Sequence, residues 1–313
     1  MATVDDTLAE DDYDEFGLLH ENAEEWGLPF DRPPEVSRGS LEIAPGQQLS
    51  YIRWGSADPE VVYLHGGGQN GHTWDSVALA LARPAIAFDL PGHGHSSWRE
   101  DRNYGPWRNV EALEVAIPQV APDATVVVGM SLGGATATHL AAKRPDLCRR
   151  AVIVDVTPQV NDPTRSMTTQ ERGSVALIGG APTYDSFEAM AEAAIALSPY
   201  RAASGVRRGV RHNSHRRPDG LWTWRYDLFG PRPASGGNWS NFVPLWEDVS
   251  TISVPTMLVR GGYSKFVTDE DVAEFQRRLP AVRYEVVDGA GHAVQSDRPL
   301  QLVALIKDFA FSD

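Results

Sequence analysis

Gly129-Met130-Ser131-Leu132-Gly133-Gly134 stands between a β-branched apolar run, Ala124 to Val128, and a helical pattern from Ala135 to Lys143. The run predicts a buried strand, and glycines on both sides of a serine let the chain turn sharply from strand to helix without a Cβ clash. Such a turn holds the Ser131 hydroxyl out as a nucleophile; the same residues, read alone, also suit a serine N-cap in an ordinary βα loop. Earlier in the chain, His65-Gly66-Gly67-Gly68 follows the strand-like Val61 to Leu64. Acyl transfer needs backbone N–H donors where negative charge develops on the carbonyl oxygen, and consecutive glycines let the main chain come that close. The amides of Gly67 and Leu132 are the candidate oxyanion donors, and the neighbouring Gly66 and Met130 are candidate substrate contacts. Near the other end, Gly289-Ala290-Gly291-His292 follows the alternating run Val282 to Val287. A histidine on a loop at a strand's C-terminal end is placed to take the serine proton and later return it to the leaving group, which makes His292 the candidate general base. His65 and His93 read as structural loop residues, His139 falls on the helix after Ser131, and His212 and His215 fall in a polar middle region.

Taken together, these pieces resemble the α/β-hydrolase superfamily over roughly residues 38 to 156 and 246 to 313. In the family's order they run His65-Gly66-Gly67-Gly68, Asp89-Leu90-Pro91-Gly92-His93-Gly94-His95-Ser96, the serine turn, Val254 to Gly261, and Gly289-Ala290-Gly291-His292. By the same resemblance the Asp89 to Ser96 block is a structural turn. The usual acid position, three residues past Gly261, holds Ser264, which cannot steady an imidazolium as a carboxylate does. A subset of the superfamily takes its acid from the end of the preceding strand, here Asp155 in Ala151 to Pro158. The resemblance therefore implies Ser131 as nucleophile, His292 as base, Asp155 as its orienting acid and Ser264 as a helper. Asp269 and Asp288 are the fallback acids, the first better read as favouring a helix N-terminus.

The elements that must position these groups alternate. Leu41 to Ile43, Leu49 to Trp54, Val61 to Leu64 and Ala85 to Phe88 read as strands, with helices over Trp74 to Ala82 and from Arg108 until Pro118 interrupts it. Alternation implies an α/β protein with a mostly parallel, doubly wound sheet, eight-stranded by the resemblance, that binds ligands at the strand C-terminal edge. Between Thr157 and about Leu245 the alternation fails, so residues 157–245 are expected to form an inserted helical cap over a core of 38–156 and 246–313. The cap's Trp222, Trp224, Tyr226 and Phe229 suit either a hydrophobic acyl pocket or the cap's own core. Arg207, Arg208, Arg211, Arg216 and Arg217 either steer an anionic substrate or pair with the acidic N-terminus.

Of 313 residues, 42% are hydrophobic, enough for a sizeable core. The formal charge of −14 argues against a nucleic-acid partner. Much of the excess lies in residues 1–37, which carry no Lys or Arg before Arg32 and are expected to be a solvated acidic extension that touches the surface through Phe16, Leu18, Leu19 and Trp26. Neither a signal-peptide pattern nor an apolar run of membrane-spanning length is present, so a cytoplasmic protein without a membrane partner is expected. The single Cys148 cannot form an internal disulfide and reads as a packing residue, and the absence of Cys/His spacing of the zinc type implies no metal. No cofactor is expected. The function these features support is hydrolysis of a small-molecule carboxylic ester or thioester through an acyl-enzyme. Carbon–carbon cleavage of ring-fission products, cofactor-free perhydrolysis and a catalytically silent binding protein are the alternatives.

Overall fold

The computed structural model describes residues 13–159, 167–172, 175, 177, 178, 180–228 and 241–312. After helix α1 (Leu19–Trp26) come strands β1 (Val36–Ala44), β2 (Gln47–Trp54) and β3 (Val61–Leu64), a 3-10 turn at Gly71–Trp74, helix α2 (Asp75–Leu81) and β4 (Ala85–Phe88). Helix α3 (Pro106–Val120), β5 (Val126–Met130), α4 (Leu132–Lys143) and β6 (Ala151–Val154) complete the first half. The insertion contributes α5 (Thr169–Arg172), β7 (Thr183–Tyr184), α6 (Phe187–Ala196), α7 (Ala203–His212), β8 (Ser214–Arg216) and β9 (Trp222–Trp224). Helix α8 (Leu245–Val249), β10 (Thr256–Gly261), α9 (Asp269–Arg278), β11 (Arg283–Val287), α10 (Val294–Asp297) and α11 (Pro299–Phe311) close the chain.

Eight strands form one sheet in the order β1-β2-β4-β3-β5-β6-β10-β11. Only the β1/β2 and β2/β4 pairs are antiparallel. Every residue of β3, β4, β5 and β6 is buried, because helices cover both faces, and this is why those strands read as unbroken apolar runs. Side chains alternate between the two sides: Val62, Leu64, Ile86 and Phe88 join the core under α3 and α4, while Val61, Tyr63, Ala85 and Ala87 join the one under α2 and α11. Each fully buried side chain of this size contributes about 1.5–3 kcal/mol. Cys148 is one of the packing residues, and burial pushes its thiol up to about 12.

Three expectations need correction. Helix α3 continues through Pro118 to Val120, because a proline in the last turn, on the exposed side, removes a single donor and leaves the preceding turns intact. The insertion is not helices alone: β7, β9 and β8 form a three-stranded antiparallel sheet in that order, and helix α7 runs through the arginine-rich stretch. From Tyr13 onward the N-terminal segment is docked rather than solvated, with Leu19 and Ala23 buried against the core. The acids before it, Phe229 and the Pro231 to Gly237 run lie outside the described residues. Among the described residues no helix is long and apolar enough to cross a membrane.

Candidate active site

Strands β5, β6, β10 and β11 lie side by side and parallel, so the loops at their C-terminal ends share one edge of the sheet. Ser131 follows β5, Asp155 follows β6, Ser264 follows β10 and His292 follows β11. Residues 161 positions apart in sequence thereby meet: the Ser131 hydroxyl donates to His292 Nε2 at 3.1 Å. On the ring's other side, His292 Nδ1 lies 2.7 Å from Asp155 Oδ2. A carboxylate only accepts, so Nδ1 carries the proton and Nε2 is left free to accept from serine. Asp155 is fully buried, and its charge is met by three donors: the imidazole, the Gly261 amide at 2.9 Å on Oδ1, and the Ser264 hydroxyl at 2.5 Å on Oδ2. The Phe266 ring stacks on the imidazole with centroids 3.7 Å apart, which limits how the His292 ring can turn.

The backbone around these groups is strained where it must be. Ser131 has φ 52° and ψ −115°, and Asp155 has φ 53°, a left-handed region that non-glycine residues avoid. The serine turn is as tight as its glycines allow: a Cβ on Gly129 would stand 2.2 Å from the Gly133 carbonyl oxygen, and one on Gly133 would stand 2.1 Å from that of Leu64. Leu132 opens α4, where the first amides have no acceptor inside the helix. In the glycine loop the Gly66 amide is taken by Gln69 Oε1 at 3.1 Å, whereas the Gly67 amide has no acceptor among the described residues. His65 is committed to structure: its ring bonds the Gly66 carbonyl and accepts from the Leu90 amide at 2.8 Å. Asp89 is likewise structural, accepting from Gly71, His95 and Arg38.

Ser131 and His292 open into a cleft. Gly66, Gly67 and Met130 line it near the serine, and Trp224 and Tyr226 line it from the cap, stacked on each other at 5.5 Å. Trp222 does not line it. Two positions apart on β9, Trp222 and Trp224 share one face of the strand, but the Trp222 ring packs against Phe187 under the Arg211 guanidinium, away from the cleft. Asp269 is the first residue of α9, beyond its capping Thr268, and bonds Arg260, while Asp288 is exposed; His292 bonds neither. Of the arginines, Arg208 pairs with Glu21 and Glu25 of α1, and Arg211 lies over Tyr13, so these two hold the N-terminal segment in place. Arg207 and Arg217 pair within the cap.

A family model described as the alpha/beta hydrolase family matches residues 61–305. The chain belongs to the alpha/beta hydrolase family. Its sequence is 48% identical to esterase Rv0045c of Mycobacterium tuberculosis over 297 residues, covering 94% of this chain and 95% of that protein. Lipase LipV of the same organism is 31% identical over 270 residues, covering 83% of this chain and 96% of that one. A solved structure of the Rv0045c esterase superposes with a TM-score of 0.81 at 47% identity, covering 95% of this chain and 98% of that chain.

Within this alpha/beta hydrolase, sequence reasoning missed several groups that shape the site. Gln69 and Phe266 stand next to recognised motifs, but no periodicity marks them. The contact through Leu19 and the pairing of Arg208 with the acidic segment were expected, whereas the bonds of Glu15 were missed because they reach far along the chain. Glu15 bonds both Arg38 and His72, the latter at 2.9 Å. Burial alone would raise the Glu15 carboxyl, yet the bonds from His72 and Arg38 outweigh it and hold the group down to about 2. His72 in turn would be depressed by burial, but Asp75 and Glu15 raise it to about 9. Ligand atoms of His72, Asp75 and His212 lie within 4.8 Å of one another. The two imidazoles are stacked 3.9 Å apart with planes 11° from parallel, so their in-plane lone pairs do not converge on one point as an ion requires. The cluster is better described as an ion-pair clasp.

Proposed function

We propose that this alpha/beta hydrolase cleaves a small-molecule carboxylic ester through an acyl-enzyme, with Ser131 as nucleophile. The reading is carried by the unbroken line of hydrogen bonds from Asp155 through His292 to the Ser131 hydroxyl at the mouth of a cleft. His292 takes the serine proton as Oγ attacks the carbonyl carbon, and Asp155 holds the ring in the tautomer that can do so. The oxyanion that forms is received by the amides of Gly67 and Leu132. His292 then gives its proton to the leaving alcohol, and water repeats the sequence to release the acid. Ser264 and the Gly261 amide hold the Asp155 carboxylate in place. The cap, residues 157–245, walls the cleft with Trp224 and Tyr226, which favours an apolar portion of the substrate there.

Ester hydrolysis is favoured over carbon–carbon cleavage or perhydrolysis by the names of the relatives, an esterase and a lipase. The test is hydrolysis of p-nitrophenyl esters from acetate to octanoate by wild type and Ser131→Ala. A loss of about 10⁴-fold or more in kcat with unchanged unfolding midpoint supports the acyl-enzyme. Equal turnover by the two proteins overturns it, and so does failure of a fluorophosphonate to label Ser131.

A further inference from the structure

The wall of the cleft nearest His292 carries a cation that the catalytic line does not use. Arg201 lines the cleft together with Ser131 and His292, flanked by Ser198 and Ser296. Its neighbour Tyr200 packs directly on the base's own loop: a Cβ on Gly291 would stand 2.9 Å from the Tyr200 ring. Arg201 donates one bond, from Nη2 to the Gly205 carbonyl at 3.1 Å. Its Nε is buried without any partner, and among the described residues no carboxylate oxygen comes within 4.0 Å of it. Arg208, close by, shows what a settled buried arginine looks like here, with Glu21 and Glu25 both on it.

The acids that face Arg201 are engaged elsewhere. Asp297 accepts from the Gly291 amide at 2.8 Å, and Glu25 is held by Arg208. Desolvation accordingly pulls the guanidinium below its ordinary value, with Asp297 and Glu25 opposing it only from a distance. A guanidinium held out of water at its Nε without a partner is unfavourable, so an arrangement of this kind is stable chiefly when the partner arrives from outside. A guanidinium presents a planar fork that matches a carboxylate with two parallel bonds. Because Asp297 and Glu25 stand nearby, the site suits a single negative charge better than the double charge of a phosphate monoester. In a protein of net charge −14, such a cation also offers an anion a local attraction that the overall field does not.

We infer that Arg201 receives a free carboxylate carried by the substrate, so that the preferred substrates are monoanionic esters. The assignment rests on the esterase reading and narrows its substrate class. Arg201 acts in binding and specificity and takes no part in proton transfer.

The experiment compares two matched pairs of esters, each rate corrected for alkaline reactivity. In one pair the carboxylate is on the acyl side, 4-nitrophenyl hemiglutarate against 4-nitrophenyl pentanoate. In the other it is on the leaving group, 4-acetoxybenzoate against phenyl acetate. Wild type is expected to favour the anionic member of at least one pair. In Arg201→Gln the anionic-to-neutral ratio of kcat/KM falls by about tenfold or more, mainly through KM, while the neutral esters stay within about twofold. Arg201→Lys keeps the charge without the fork and gives an intermediate ratio, and it carries the test if the glutamine variant does not fold. An unchanged ratio in both pairs, or an equal loss on anionic and neutral esters, overturns the inference. Hydrolysis of the neutral esters by wild type, and its loss in Ser131→Ala, keeps the esterase reading separate from this outcome.

Discussion

The floor and the roof of the cleft are built on different principles. The floor is the C-terminal edge of the sheet, where four adjacent parallel strands deliver Ser131, Asp155, Ser264 and His292 from short loops. Register does much of the placing: Met130 pairs with Val154, so the serine and the acid that follow them leave the sheet side by side, and the Ser131 amide donates to the Val154 carbonyl at 3.0 Å. The roof has no such frame. It is assembled from α1, α7 and the small β7-β9-β8 sheet, and polar side chains tie it to the core across long stretches of sequence. Asn213 of the cap bonds the Gly68 carbonyl at 2.5 Å, Asp227 bonds Tyr104 and Arg102, and Glu15 joins Arg38 to His72. A hydrogen-bonded sheet fixes atoms to within the tolerance chemistry needs, whereas an ion-paired roof sets the shape and charge of what can enter.

Perturbing the floor is therefore expected to cost rate, and perturbing the roof to cost stability or selectivity. The largest effect belongs to Asp155→Asn, which keeps the shape but no longer fixes the His292 tautomer. Steady-state kinetics should show kcat lower by about 10³–10⁴-fold, and a loss under tenfold would remove Asp155 from the triad. Ser264→Ala takes one of three donors from that carboxylate and should lower kcat by about tenfold or less. A loss equal to that of Asp155→Asn would make Ser264 an essential member of the line.

On the roof, Glu15→Gln weakens the acceptor shared by Arg38 and His72. Denaturant unfolding should read a loss of about 1–3 kcal/mol with neutral-ester kcat nearly unchanged; a collapse of kcat would merge the two regions into one unit. The same clasp responds to pH. His72 is raised from an ordinary 6.5 to about 9, so its contribution is complete below 6.5 and is lost as pH rises through about 9. Glu15 is lowered from 4.5 to about 2, so its contribution is complete above 4.5 and is lost as pH falls through about 2. The two shifts share one contact and count once. Hydrogen exchange across residues 13–26 should accelerate above about pH 9 in wild type, and His72→Gln should remove that alkaline limb. The smallest effect is expected from Trp222→Ala, which leaves chain-length preference as it was while Trp224→Ala shifts it; an equal shift in both would return Trp222 to the cleft wall.

The candidate site was legible because its residues sit inside local signals. A β-branched run followed by Gly-x-Ser-x-Gly, or an alternating run followed by Gly-x-Gly-His, names both the strand and the side chain that leaves it. Asp155 was legible only by its place at the end of β6, with Ser264 standing where the usual acid would be. Arg201 gave no such signal, since nothing local sets it apart from the other arginines between Val206 and Arg217. The acidic N-terminal segment was legible only in part for a related reason: its pairing with Arg208 was one of two readings, but Arg38 and His72, which meet Glu15, come from distant parts of the chain and carry no local signal.

The sequence by itself determined the parallel sheet, the strained serine turn and the candidate nucleophile and base, because strand periodicity and glycine placement act over a few residues. Tertiary structure alone decided which aromatic of the Trp222 to Trp224 pair lines the cleft, how α1 closes over it, and that Arg201 lines it with no carboxylate within 4.0 Å among the described residues. Those outcomes depend on pairing between charges and faces far apart in the chain, and no local pattern encodes which distant partner a side chain will meet.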